Sequence, residues 1–308
     1  MKLKNKWIIL GPLFVILGAG MWGTESFFRV NLNRSYDPEI LVFIEHLFCI
    51  AFTLPLLFLN KVSLKKIPRK AWIYLILSGS VGSAIGTTFF TMSLKELNPS
   101  VANVLLNFQP IVCVLFAMVL LKEKPGRGFS FWAIFALLCG GVIATNNFNI
   151  SDFTWSIGLL YITITALAWG FSTVAGRGAM IHIPLTVATA GRFIIGAFTL
   201  FVSLAIKGKL TSENLNWPLL SQSSILQNFL LLSFVAGVIP LFFYFKGLSK
   251  TSASVAGFCE LTQTFIALLL TWGVLGQPLT SVQVFAGILL LVAVYKININ
   301  FARANKQY

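Results

Sequence analysis

The stretches PEILVFIEHLFCIAFTLPLLFLNK (38–61) and PLTVATAGRFIIGAFTLFVSLAIKGK (184–209) decide the fold, because they read as two copies of one segment. At an offset of 146 residues Pro38 meets Pro184, the tetrapeptide AFTL recurs at 51–54 and 197–200, and Lys61 meets Lys207. Each copy is an apolar run of about 20 residues, long enough as a helix to cross a hydrocarbon core ~30 Å thick. Proline at the start costs nothing, since the first N–H groups of a helix have no intrahelical acceptor. One difference between the copies is chemical: Glu45-His46 in the first stands where Gly191-Arg192 stands in the second.

The rest of the chain has the same character. Its 308 residues are 57% hydrophobic and only 10% charged, against about 25% charged in soluble domains. Mean hydropathy is +0.85. These values exclude a soluble enzyme and imply a polytopic helical membrane protein. Charge and Pro/Asn/Ser punctuation divide it into ten expected spans, roughly 7–28, 38–59, 71–94, 99–121, 129–146, 155–176, 184–206, 226–248, 252–275 and 280–299. The N-terminal run follows Lys2, Lys4 and Lys6 and is too long for a signal-peptide core, so it reads as the first span.

The net charge of +14 raises the question of nucleic acid. The basic residues instead lie in short loops, and on one side. That side holds Lys2, Lys4, Lys6, Lys61, Lys65, Lys66, Arg69, Lys70, Lys122, Lys124, Arg127, Arg177, Lys246, Lys250, Lys296, Arg303 and Lys306. The other side holds Arg29, Arg34, Lys95, Lys207 and Lys209. The bias places both termini in the cytoplasm of a multi-pass plasma (inner) membrane protein, with no nucleic-acid partner expected. Cys49, Cys113, Cys139 and Cys259 lie singly in apolar segments without metal-ligand or disulfide-framework spacing. No metal or cofactor is expected.

The duplication extends further. Trp22-Gly23 aligns with Trp169-Gly170 at an offset of 147, and LKELNPSVANVLLNFQ (94–109) aligns with LSKTSASVAGFCELTQ (248–263) at 154, pairing Gln109 with Gln263. Two units follow, 1–150 and 151–308, each of five spans. An odd number of spans makes the second unit enter the membrane from the opposite face, and inverted repeats of this kind characterise secondary transporters.

On these residues the chain resembles the EamA type of the drug/metabolite transporter superfamily, over essentially its full length. The resemblance is carried by Trp22-Gly23 and Trp169-Gly170, by the Pro184-to-Arg192 spacing, by GLSKTSASVAGFCELTQTFIALLLTWGVLGQPL (247–279), and by its first-half copy ending LLKEKP (120–125). It implies ten helices in two inverted repeats and a carrier of small metabolites, often an exporter, working by alternating access. Two positions depart from the pattern: His46 stands where a second-helix arginine is common, and Gln277 stands where Glu123 has the usual glutamate. These departures leave the substrate open among amino-acid-like, amine and nucleoside-like molecules.

Charged groups at bilayer depth face protein or water. Glu260 and Arg192 each lie about eight residues, ~12 Å, into their spans. Glu260 suits a cavity with proton or cation binding, and Arg192 a gate, an anion anchor or a snorkelling pair. The two are also candidates to pair with each other. Glu25, near a helix end, reads more as an interfacial group than a transport group. Glu45 and His46 read as a structural pair or as a gating and proton-coupling pair, with Arg29 an alternative partner for Glu45. The pseudo-symmetric Gln109 and Gln263 read either as hydrogen-bonding a polar substrate or as joining helices. Asn103 and Asn107 extend that polar stripe at i, i+4. Trp22 and Trp169 wall a cavity or pack between helices. The glycines of LSGSVGSAIGTT (77–88) lack the lysine and hydroxyl of a phosphate loop and imply close helix packing. The leading reading is therefore a secondary transporter with a small-molecule substrate and possible use of protons, in a lipid bilayer. The alternatives are an intramembrane enzyme, for which no nucleophile-and-base motif is present, and a non-transporting membrane partner.

Overall fold

The computed structural model describes residues 2–58, 64–97, 102, 105–145, 156–275 and 280–304. Among them the chain is helical, with no strand. The longer helices are α1 (Lys2–Trp22), α2 (Glu25–Asn33), α3 (Pro38–Phe58), α4 (Arg69–Leu77), α5 (Thr87–Glu96), α6 (Gln109–Leu120) and α7 (Phe129–Thr145). They continue as α8 (Ile157–Met180), α9 (Leu185–Ile206), α10 (Ser223–Leu231), α11 (Ile239–Leu248), α12 (Ala253–Glu260), α13 (Thr262–Leu275) and α14 (Ser281–Ala304). Seven helical stretches among the described residues are long and apolar enough to cross a membrane: 9–32, 38–57, 69–96, 157–180, 185–206, 223–248 and 281–304. Two shorter apolar helices, 109–120 and 129–143, accompany them.

Burial follows the logic of lipid as solvent. Apolar side chains such as Phe131, Ile134 and Leu138 point outward on one face of α7, whereas Arg29, Glu39, Glu45 and His46 are buried. A helix satisfies its own backbone, so polar side chains inside the bundle need only find one another.

Several expected spans are not continuous helices. The first breaks at Gly23-Thr24, between α1 and α2. The fourth turns at Asn107-Phe108, just before α6, and Pro110 sits in the first turn of the new helix. The ninth breaks at Leu261, between α12 and α13. Two others loosen into π-helix, at Ser78–Gly86 between α4 and α5 and at Leu232–Val238 between α10 and α11. Position 107 and position 261 are 154 residues apart, as are the starts of the two π-helical segments, 78 and 232. π-turns free carbonyl groups and are frequent at functional sites.

Small residues set the close approaches. The Cβ that Gly82 lacks would collide with Ser172 Oγ, and that of Gly86 would fall 2.6 Å from Trp169 Cδ1, so the 78–86 segment lies directly against α8. Gly18 and Gly247 bring α1 and α11 together, a Cβ on Gly18 meeting the Pro240 carbonyl oxygen at 2.6 Å. The glycines of 77–88 thus act in packing.

The end of α9 shows local chemistry shaping a surface contact. Gly208 takes φ +65°, and Gly208 N–H donates to Ala205 while Lys209 N–H donates to Leu204. This is a Schellman stop, which a residue without Cβ favours. It presents Lys207 to Glu39 at 2.8 Å and Lys209 to Asp37 at 2.9 Å. Ser203 also donates to Glu39. The ends of α3 and α9 are thereby tied together. Burial alone would raise the Asp37 carboxyl. The Lys209 hydrogen bond, two backbone N–H bonds and the Lys209 charge outweigh it and hold it below the usual range.

Candidate functional site

A cavity with about 730 Å³ of unfilled space opens in the middle of the bundle. Trp22, Glu45, His46, Gln109, Trp169, Arg192, Glu260 and Gln263 all line it. Asn107 lines a smaller adjoining pocket with Gln109, Trp169, Glu260 and Gln263. Asn103 lies outside the described residues. The breaks in α1–α2, before α6 and between α12 and α13 adjoin the lining residues Trp22, Gln109 and Glu260, so irregular backbone borders this space.

Glu260 is the last residue of α12. One carboxylate oxygen accepts from Tyr244 Oη at 2.6 Å and from Thr173 Oγ1 at 2.9 Å. The other accepts from Gln109 Nε2. Thr173 Oγ1 and Tyr244 Oη are also 2.8 Å apart, which closes the network. A carboxylate at a helix C-terminus opposes the helix dipole, and these three donors are what holds it there. The other end of α12 meets a carboxylate as well: Glu123 accepts from Ala253 N, Ser254 N and Ser254 Oγ at 2.7, 2.9 and 2.6 Å. That pairing of an anion with a helix N-terminus is favourable.

The tryptophans occupy matching surroundings. Trp22 tilts against Tyr244 with centroids 4.8 Å apart at 48°, and Trp169 tilts against Phe90 at 5.0 Å and 46°. Phe90 and Tyr244 are themselves 154 residues apart. Trp169 Nε1 donates to the Gly82 carbonyl at 3.1 Å, one of the groups in the π-helical segment.

Glu45 and His46 do not pair with each other. His46 Nδ1 lies 2.7 Å from the Val42 carbonyl, which can only accept, so Nδ1 carries the proton. Nε2 then accepts from Ser83 Oγ at 2.8 Å, and the ring is satisfied as neutral imidazole. Glu45 turns to Arg29, with both carboxylate oxygens on Nη2 at 2.8 and 3.1 Å. Glu25 also pairs with that Nη2. Contrary to the interfacial expectation, Glu25 is only 9% exposed and lines the cavity. The break at Gly23-Thr24 redirects α2 and turns Glu25 inward.

Arg192 forms no ion pair among the described residues. Its Nη1 donates to Ser78 Oγ at 3.1 Å, and its guanidinium stands 5.8 Å from the Phe245 ring centroid. Ser78 Oγ in turn lies 3.2 Å from Ser172 Oγ. The expected direct pair with Glu260 is absent because the Tyr244, Thr173 and Gln109 donors occupy that carboxylate.

Sequence reasoning had not placed Tyr244, Thr173 or Ser83 at the cavity; Arg29, an alternative partner for Glu45 in the sequence, is fully buried beside it. The i, i+4 spacing of Glu25 and Arg29 was a legible signal for a paired buried charge. No local signal marks the hydroxyl groups, which occur throughout the spans.

The model of the EamA-like transporter family matches residues 9–147 and again residues 156–299. The riboflavin transporter ImpX of Fusobacterium nucleatum is 27% identical over 94% of this chain and 98% of its own length. An uncharacterized transporter of Clostridium kluyveri is 24% identical over 92% of this chain and 90% of its own. One crystal structure superposes with a TM-score of 0.70 at 18% identity, covering 92% of this chain and 95% of the other, a likeness of fold alone. With both family matches lying on an all-helical, membrane-spanning chain, the protein belongs to the EamA-like transporter family of the drug/metabolite transporter superfamily.

Proposed function

We propose that this transporter is a secondary carrier, moving a small polar or amphipathic metabolite across the plasma membrane by alternating access, with protons as coupling ion and both termini cytoplasmic. The observation that carries the reading is a cavity in the bundle onto which Trp22, Gln109, Trp169, Glu260 and Gln263 converge, an apolar lining with a few polar groups of the kind small-molecule sites have. Its walls come from both halves of the chain. Ten spans in two inverted repeats, 1–150 and 151–308, account for the irregularities. The breaks at 107 and 261, the π-helical segments and the Trp–aromatic pairs each recur, and a common offset relates positions 107 and 261, 78 and 232, and 90 and 244.

The substrate class that suits this cavity is a flat heteroaromatic ring with a polar chain, riboflavin being the specific candidate. Trp22 and Trp169 offer faces on which such a ring stacks. Gln109, Gln263 and Glu260 supply donors and acceptors for its polar edge, Asn107 and Asn103 extend that polar lining, and Arg192, Glu45 and His46 serve gating or coupling. The similarity to ImpX supports riboflavin; the direction of net transport follows from the gradients imposed. Uptake of labelled riboflavin, nucleosides, amines and amino acids into proteoliposomes tests the reading. Saturable riboflavin flux that unlabelled riboflavin competes away is the expected result. Chemical conversion of a substrate without flux would point to an enzyme instead.

A further inference from the structure

The carboxylates of Glu25 and Glu45 converge on one nitrogen, Nη2 of Arg29, and both line the cavity. The Arg29 side chain is fully buried, and those of Glu25 and Glu45 are 11% and 8% exposed. Arg29 Nη1 donates to Thr91 Oγ1 at 2.9 Å, and Nε, also buried, has no hydrogen-bond partner among the described residues. One guanidinium therefore serves two carboxylates in a site nearly closed to water. If both were ionised, the cluster would carry a surplus negative charge, and two like charges sharing one site are not both held ionised at low cost.

The groups facing this pair do not remove the surplus. On α3, His46 is satisfied as neutral imidazole, and the Cys49 thiol donates to the Ser233 carbonyl. Lys95 of α5 is turned to the Tyr36 carbonyl at 3.3 Å. The α10 helix and the 232–238 segment, which pack on α2, contain no titratable residue. Across the cavity Arg192 lies on Ser78, and Glu260 has its own three donors, including Tyr244. A metal cation would sit beside the guanidinium and be repelled by it. A proton on one carboxylate removes the surplus with no such conflict.

We propose that Glu25 and Glu45 share one proton around Arg29, and that this is the proton exchanged during transport. The second clause rests on the carrier reading above; the first does not. Glu25 belongs to α2 and Glu45 to α3, and α2 is separated from α1 by the break at Gly23-Thr24. A shift of α2 against α3 that keeps Arg29 on Glu25 and opens Glu45 to the water of the cavity would let both ionise and pass the proton to that water, which links protonation to a change in cavity access.

Infrared spectroscopy of the full-length protein in lipid membranes reads the shared proton directly, as the carbonyl stretch of a buried carboxylic acid at neutral pH. The wild type and Glu260→Gln should both show it. Glu25→Gln and Glu45→Gln should each lose it entirely, because either change leaves one carboxylate matched to one arginine. These charge-balanced variants are expected to fold, and their thermal unfolding is measured alongside. A wild-type protein without the band, a band that survives both substitutions, or a band that sodium chloride abolishes and choline chloride does not, would overturn the proposal. Riboflavin accumulation driven by a pH gradient in proteoliposomes should fall at least tenfold further than riboflavin exchange in Glu25→Gln and Glu45→Gln. An equal fall in both would overturn the coupling role. The expected bands without flux of riboflavin or of any molecule in the panel would leave the shared proton standing and sink the carrier reading.

Discussion

Replacing Glu260 by glutamine and by leucine perturbs the same site in two ways whose outcomes differ in size. The carboxylate accepts from Tyr244, Thr173 and Gln109. Hydrogen bonds to a charged group are worth about 1.5–3 kcal/mol and those to a neutral group about 0.5–1.5 kcal/mol. With glutamine, the amide oxygen can keep Tyr244 and Thr173, and Gln109 can rotate its own amide to offer an oxygen. The loss is then about 1 kcal/mol for each bond. Against this, a charge at bilayer depth costs about 2.5–3.5 kcal/mol, which glutamine removes. The two effects nearly cancel, so Glu260→Gln should unfold within a few degrees of the wild type. Leucine leaves three donors without an acceptor at about 1–3 kcal/mol each, so Glu260→Leu should be severely destabilised. Function separates from stability: Glu260→Gln should weaken riboflavin binding tenfold or more, since a substrate donor loses its charged acceptor. Thermal unfolding in detergent and quenching of riboflavin fluorescence on titration measure the two effects. A Glu260→Leu protein as stable as the wild type would refute the hydrogen-bond network. Unchanged affinity in Glu260→Gln would refute its place in the binding site.

Other consequences follow from named contacts. Glu123→Gln weakens the carboxylate contact at the start of α12 and should cost about 0.5–2 kcal/mol in thermal unfolding, the range of a helix N-cap. Gly247→Ala puts a Cβ 2.6 Å from the Gly11 carbonyl oxygen and 2.6 Å from Val15 N. Overpacking should cost about 1–3 kcal/mol, whereas Gly273→Ala, whose Cβ meets nothing within 4 Å, should cause no loss of melting temperature. The Asp37–Lys209 pair, half open to solvent, is worth at most about 1 kcal/mol. Because Asp37 is held below its unfolded value, that contribution is present above about pH 4 and fades as pH falls through the lower folded value. Asp37→Asn should therefore narrow the difference in melting temperature between neutral and acidic pH, and an unaltered pH profile would remove the pair from the account.

Much of this was legible in the sequence because lipid imposes a strong rule. A spanning helix must be apolar outside, so the expected spans 38–59, 155–176 and 184–206 fall within a few residues of the observed 38–57, 157–180 and 185–206. Glu45, His46, Arg192 and Glu260 stood out for the same reason, and the structure gathers them around one cavity. The breaks were harder to read. Pro110 hinted at the turn at Asn107-Phe108, since proline suits the first turn of a helix and disfavours helical backbone just before it. Leu261 has no such marker, and only its offset from Asn107 singles it out. The π-helical segments left no trace beyond small residues, because a one-residue widening depends on what packs against it. Partner choice was legible only in part: Arg29 stood as an alternative partner for Glu45, and nothing marked Ser83 for His46. Adjacent Glu45 and His46 point about 100° apart on a helix, so each found a different neighbour, and which one depended on where α2 and the 78–86 segment came to lie.

The most direct test of the central claim is counterflow. Proteoliposomes holding unlabelled riboflavin are placed in a trace of labelled riboflavin, and internal label is followed with time for the wild type and for Trp22→Ala with Trp169→Ala. A carrier built around this cavity predicts a transient overshoot of label in the wild type that collapses in the double variant while the protein remains folded. Label entry into wild-type vesicles no faster than into protein-free liposomes, for riboflavin and for the rest of the panel, would contradict it.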